Sequence, residues 1–214
     1  MQIETGAIDP TQVVWSAPES ERSGRPLLLV LHGHSSNERV GFDLRHQLPG
    51  EIVLASIRAP LKTPTGYAWF RLDPTVALPQ VDAVAQSVLA WLDAQPPAPS
   101  VGLLGFSQGA AAGLQVLRSA ARRFAYAVVL SGFVVPGPAI GDALLRTTRP
   151  PVFWGRGDQD PVIPEFLVSP TRSWLAQHAT LDERVYPGLG HNVAPAELAD
   201  LRQFLDDRIS RPER

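Results

Sequence analysis

The chain has 214 residues, 44% hydrophobic and 19% charged, with a net charge of −2 in which arginine supplies almost all the positive charge. Those proportions suit one soluble domain with a sizeable core; they give no basis for a nucleic-acid or acidic-lipid surface, and no block of like charge marks a solvated tail. Cysteine is absent, which removes disulfides, thiolate zinc sites and a cysteine nucleophile together.

The N-terminus MQIETGAIDP shows neither a basic n-region nor an apolar h-region, and no apolar run approaches the roughly 20 residues of a spanning helix. The expectation is a cytoplasmic chain with no stable membrane insertion. The first 24 residues have room for one edge strand, near Gln12–Trp15. PLLLVLHG at 26–33 is a continuous apolar run of strand length, the kind buried on both faces. A weaker helical stretch follows at 37–48, then a strand at 51–57. Val81, Val84, Ala85, Val88 and Leu92 recur at helical spacing, so 79–94 is a helix with one core-facing stripe. After the proline-rich connector AQPPAPS come a strand at 101–106 and an Ala/Gly-rich helix at 108–120. Strands at 125–132 and 150–155, a helix at 165–178 and an alternating strand at 181–188 complete the sheet. Residues 195–209 form the last helix, with Pro195 in its first turn and Leu198, Leu201, Leu205 and Ile209 on one face.

Apolar strands alternating with helices predict an α/β fold: a mostly parallel central sheet with helices on both faces, in a single domain over 1–214. In such sheets function gathers just outside the carboxyl ends of the strands. His32, Gly33 and His34 follow the first apolar run, and Ser107 follows the third. Asp158 and Asp160 follow PPVFWG, and His191 follows the last strand.

A serine, a carboxylate and a histidine on separate strand ends are what nucleophilic acyl transfer needs. The hydroxyl is a poor nucleophile until a base takes its proton; imidazole titrates near neutrality, and a carboxylate fixes its tautomer. GFSQG at 105–109 matches G-x-S-x-G, in which the serine occupies a sharp strand-to-helix turn and glycines relieve the crowding. Ser107 is therefore the candidate nucleophile. His46 and His178 fall inside predicted helices, and His32 and His34 precede the serine, against the Ser…Asp…His chain order. That leaves His191, in the loop PGLGHN, as the candidate base. Position favours Asp160 as the acid and leaves Asp158 open as the alternative. The backbone N–H groups of Gln108 and His34 are the candidate oxyanion donors.

Taken together, LHGHSSNE, GYAWF, GFSQGAAAGL, GRGDQDPVIP and YPGLGHNVAPAEL resemble the phospholipase/carboxylesterase family of α/β-hydrolases, the group that includes the acyl-protein thioesterases. The resemblance runs from about residue 26 to 209. It implies Asp160 as the catalytic acid, since the family aspartate directly precedes a P-V-[VI]-P-like turn, here 161–164, with Asp158 as a turn residue. It also implies His34 and Gln108 as oxyanion donors, a Trp69–Phe70 pair near the pocket, and a serine esterase with no cofactor or metal. Two departures stand out: Arg156–Gly157 where the family often has histidine and glycine, and His34 where the thioesterases often have leucine.

The interval between the strands at 125–132 and 150–155 is too short for a helical cap domain, so an open site is expected, walled by the loop at 58–79 and the segment 133–148. Trp69, Phe70 and Phe133 are the candidate substrate-binding aromatics. The expected substrates are carboxylic esters of small or medium acyl chains. The alternatives are a thioesterase or lysophospholipase acting on long acyl chains, or a binding protein with a relict site. The expected state is monomer or homodimer, with no nucleic-acid partner.

Overall fold

A computed structural model describes residues 6–73 and 77–209. Two strands open the sheet, β1 (Val14–Trp15) and β2 (Leu27–Leu31); helix α1 (Glu38–Asp43) and strand β3 (Val53–Ile57) follow. The β4 (Leu61–Lys62) and β5 (Tyr67–Ala68) hairpin precedes helix α2 (Ala77–Asp93). Next come β6 (Val101–Phe106), α3 (Gln108–Ser119), β7 (Tyr126–Leu130) and α4 (Asp142–Thr148). The chain closes with β8 (Pro151–Gly157), α5 (Glu165–His178), β9 (Thr180–Tyr186) and α6 (Pro195–Ile209).

Seven strands form one sheet in the order β1-β3-β2-β6-β7-β8-β9. Only β1 runs antiparallel, pairing Val14 with Ser56; the other neighbours are parallel. The apolar strands are buried on both faces, and their side chains alternate between two layers. Leu27, Leu29 and Leu31 join the core under α2, α3 and α5; Leu28 and Val30 join the one under α6. On that second face α1 approaches closely because Gly41 carries no side chain. A Cβ there would stand 2.6 Å from both Ser56 Oγ and Val30 Cγ1.

The chain moves from β2 outward to β3, then returns to place β6 on β2's other side. Strand order therefore reverses between β2 and β6, and ligand crevices form at such a switch point. The short elements depart most from the expectations above. The loop expected over 58–79 contains the β4–β5 hairpin, and its residues 74–76 lie outside those described. Two-residue strands are too short to carry a period. The helix expected over 37–48 shortens to α1 followed by a 3-10 turn at Leu44–His46. Within 133–148, α4 forms, capped by no side-chain hydrogen bond.

Candidate active site

Ser107 joins β6 to α3 with φ 54° and ψ −121°, a conformation L-residues seldom adopt. The turn survives because its neighbours leave room. A side chain on Gly109 would strike the carbonyl oxygens of Leu31 and His32, and one on Gly105 would strike the backbone of Ala110. Such strain costs on the order of 1–3 kcal/mol and persists only where the surroundings over-determine it. Here β2, β6 and the start of α3 do so, and they leave the Ser107 hydroxyl at the strand ends.

There Ser107 Oγ lies 2.8 Å from His191 Nε2, and His191 Nδ1 lies 2.7 Å from Asp160 Oδ2. A carboxylate accepts only, so Nδ1–H donates to Asp160 and Nε2 is left to accept from the serine hydroxyl. Asp160 is fixed by its second oxygen: Oδ1 accepts the backbone N–H groups of Val162 at 2.8 Å and Ile163 at 3.1 Å. Asp158 turns elsewhere and accepts from Gly188 N at 2.7 Å, closing the β9 turn. The Phe106 ring backs the imidazole at 4.9 Å. The arrangement can take a proton from a hydroxyl and hold the resulting imidazolium beside a carboxylate.

His34 and Gln108, the candidate oxyanion donors, both line the groove that holds Ser107 and His191. Neither His34 N–H nor Gln108 N–H has a hydrogen-bond partner among the described residues. Their positions are tied together through the segment after β5. The buried Gln108 side chain accepts from Trp69 N at 2.9 Å and donates to Phe70 O at 2.6 Å. Trp69 in turn donates its indole N–H to His32 O at 2.7 Å. His32 donates from Nδ1 to Gly33 O at 2.7 Å and accepts Ala59 N–H at Nε2, 3.1 Å away. Burial pushes the His32 pKa down, which keeps the ring neutral and able to accept. One frame thus spans both arms of the candidate oxyanion site. Sequence reasoning missed the Gln108 side chain and His32 as parts of it, because only the tertiary fold brings residues 32, 69 and 108 together.

A family model for phospholipase/carboxylesterase matches residues 18–209. The chain belongs to the phospholipase/carboxylesterase family. Among its relatives, acyl-protein thioesterase 1 of Saccharomyces cerevisiae is 33% identical over 110 residues, 50% of this chain and 48% of that protein. Acyl-protein thioesterase 1 of Cryptococcus neoformans is 30% identical over 147 residues, 62% of each chain. The match therefore spans about half to three fifths of those relatives. A phospholipase/carboxylesterase from Dyadobacter fermentans superposes with a TM-score of 0.73 at 22% identity, covering 94% of this chain and 98% of that one. A carboxylesterase from Mesorhizobium loti gives 0.71 at 21% identity, covering 86% and 90%. At these identities the structural likeness is one of fold: the mostly parallel α/β-hydrolase sheet.

In this family member an apolar groove of about 620 Å³ opens over Ser107, Gln108 and His191, with Phe133 and Leu167 in its wall. Its rim carries exposed aliphatic side chains: Val40 at 57%, Leu72 at 68% and Val162 at 55%. Of the three candidate substrate-binding aromatics, only Phe133 lines the groove. Trp69 is wholly buried, and its indole N–H donates to His32 O. Phe70 is also buried and lines a neighbouring cavity instead. His178, the helical histidine set aside above, stacks on Trp174 and accepts from Arg146 at 3.1 Å. Among the described residues no cluster of three His, Asp or Glu is gathered to hold a metal, and no helix is long and apolar enough to cross a membrane.

Proposed function

We propose that this chain is a serine esterase that cleaves carboxylic esters of small or medium acyl chains through an acyl-enzyme. The observation that carries the reading is the continuous hydrogen-bonded run from Ser107 Oγ through His191 to Asp160. Ser107 Oγ attacks the ester carbonyl carbon while His191 Nε2 takes its proton. The tetrahedral oxyanion rests on the N–H groups of His34 and Gln108; removing one such donor typically costs about 10²–10³ in kcat. His191 then gives the proton to the leaving alcohol oxygen. Water, deprotonated by the same nitrogen, releases the acid and restores the serine. Asp160 holds the tautomer throughout. The open apolar groove and its aliphatic rim support an ester with at least one apolar arm.

A fluorophosphonate probe should label the wild type and not Ser107→Ala, and p-nitrophenyl esters from C2 to C12 should show highest turnover among the short and medium chains. A folded wild type that neither labels nor hydrolyses any of them sinks the esterase reading. A second reading, thioester hydrolysis, is favoured by the names of the sequence relatives. Matched ester and thioester pairs separate the two: a thioester preference of more than about tenfold would replace the first reading.

A further inference from the structure

A second cavity, of about 570 Å³, adjoins the catalytic groove, and His34 lines both. Its floor is apolar, made by Pro60, Ala68 and Phe70. Among the described residues its titratable lining is His34, Lys62 and Arg71, all basic. Lys62, the chain's one lysine, and Arg71 are both exposed. Neither forms an ion pair among the described residues. Arg58, the next cation along, differs: it is spent on Glu38, at 2.6 and 2.7 Å.

The segment that presents Lys62 is held against the oxyanion loop. Tyr67 N donates to Ser36 O at 2.7 Å, and Thr63 N donates to Gly66 O at 2.8 Å across the hairpin turn. Gly66 is pressed so close that a Cβ would stand 2.5 Å from the carbonyl oxygens of Ser35 and Ser36. Lys62 is thus fixed in register to the loop that carries the His34 N–H. His34 is also where this chain departs from the leucine frequent in the thioesterases, and it puts an imidazole between the two cavities.

From this placement we infer that the cavity is an anion subsite, and that the preferred substrate is an ester carrying a carboxylate or phosphate on the arm that passes His34. The inference rests on the esterase reading and names the substrate class for it. An ester carbonyl held by His34 N–H sends one arm into the apolar groove. The other arm crosses His34, runs over the apolar floor and delivers its anion to Lys62 and Arg71, which bind it by charge-assisted hydrogen bonds.

Matched substrate pairs test this. On the acyl arm, p-nitrophenyl hemiglutarate is compared with p-nitrophenyl valerate. On the alcohol arm, the butyrate monoester of glycerol 3-phosphate is compared with monobutyrin, and the butyrate of 3-hydroxybenzoate with that of 3-hydroxybenzamide. The wild type should favour the anionic member of at least one pair by about fivefold or more in kcat/KM, and 0.5 M salt should shrink the ratio. Lys62→Gln with Arg71→Gln should bring the ratio to near one. The charge-matched control, Arg122→Gln with Arg123→Gln before β7, should leave it in place. Neutral members favoured in every pair, or a preference that survives in the Lys62/Arg71 variant, overturns the subsite and leaves the esterase standing. Absence of turnover on all neutral esters, with no fluorophosphonate labelling, overturns the esterase reading and the subsite together.

Discussion

Asp160 spends its two oxygens on different tasks. Oδ1 anchors the 161–163 turn through two backbone N–H groups, and Oδ2 faces His191. Asn at this position keeps an oxygen for the turn and offers an amide N–H₂ to the imidazole. His191 Nδ1 must then accept, and its proton moves to Nε2, where it can no longer take one from Ser107. Asp160→Asn should therefore lower kcat by roughly 10³–10⁴ while its thermal midpoint stays close to wild type. A kcat within tenfold of wild type would rule out this role. Asp158 and Asp160 stand two apart after one strand, and spacing alone left both open. The difference between them is a matter of direction, Gly188 N for one and His191 for the other, and direction belongs to the folded loop.

At the scale of elements, β2, the segment after β5 and α3 meet through the side chains of Trp69 and Gln108. The Trp69 indole and the Gln108 amide span the oxyanion loop and the helix start. Trp69→Phe keeps most of the buried ring and removes one N–H, leaving His32 O without its donor. A buried unsatisfied carbonyl costs about 1–3 kcal/mol, so the variant should unfold at lower denaturant. Loosening of the donors should lower kcat by up to about a hundredfold, with KM little changed, because the lost alignment matters most in the transition state. A KM rise at constant kcat would instead return Trp69 to substrate contact. The GYAWF stretch was legible as an aromatic pair, but where each ring sits was not. An aromatic pair reads the same in sequence whether it lines a pocket or braces the wall behind it.

For the molecule as a whole, stability against pH carries a signature from the last helix. Glu197 on α6 is fully buried, and Gly155 on β8 lies so near that a Cβ there would collide with Glu197 Oε1. That oxygen has no partner among the described residues, and Oε2 accepts only Ala194 N–H at 3.4 Å. Burial pushes the carboxyl up from 4.5 to about 7. The folded state therefore holds a proton that the unfolded chain loses near 4.5, so stability falls as pH rises from about 4.5 to 7 and then levels. Glu197→Gln removes this cost: it should raise the unfolding free energy read from urea denaturation at pH 8 by on the order of 2–3 kcal/mol over wild type, with a higher midpoint, and give no gain at pH 4.5. Equal midpoints at pH 8 would show that the carboxylate is not desolvated. The sequence by itself determined the strand–helix alternation, the long elements and the serine, histidine and carboxylates at strand ends, because burial periodicity and turn chemistry are local. Only the tertiary structure decided which aspartate meets His191, which aromatics face the groove, and that Lys62 and Arg71 stand beside His34. Those are relations between segments far apart in the chain, set by sheet order and loop direction, and no local pattern encodes them.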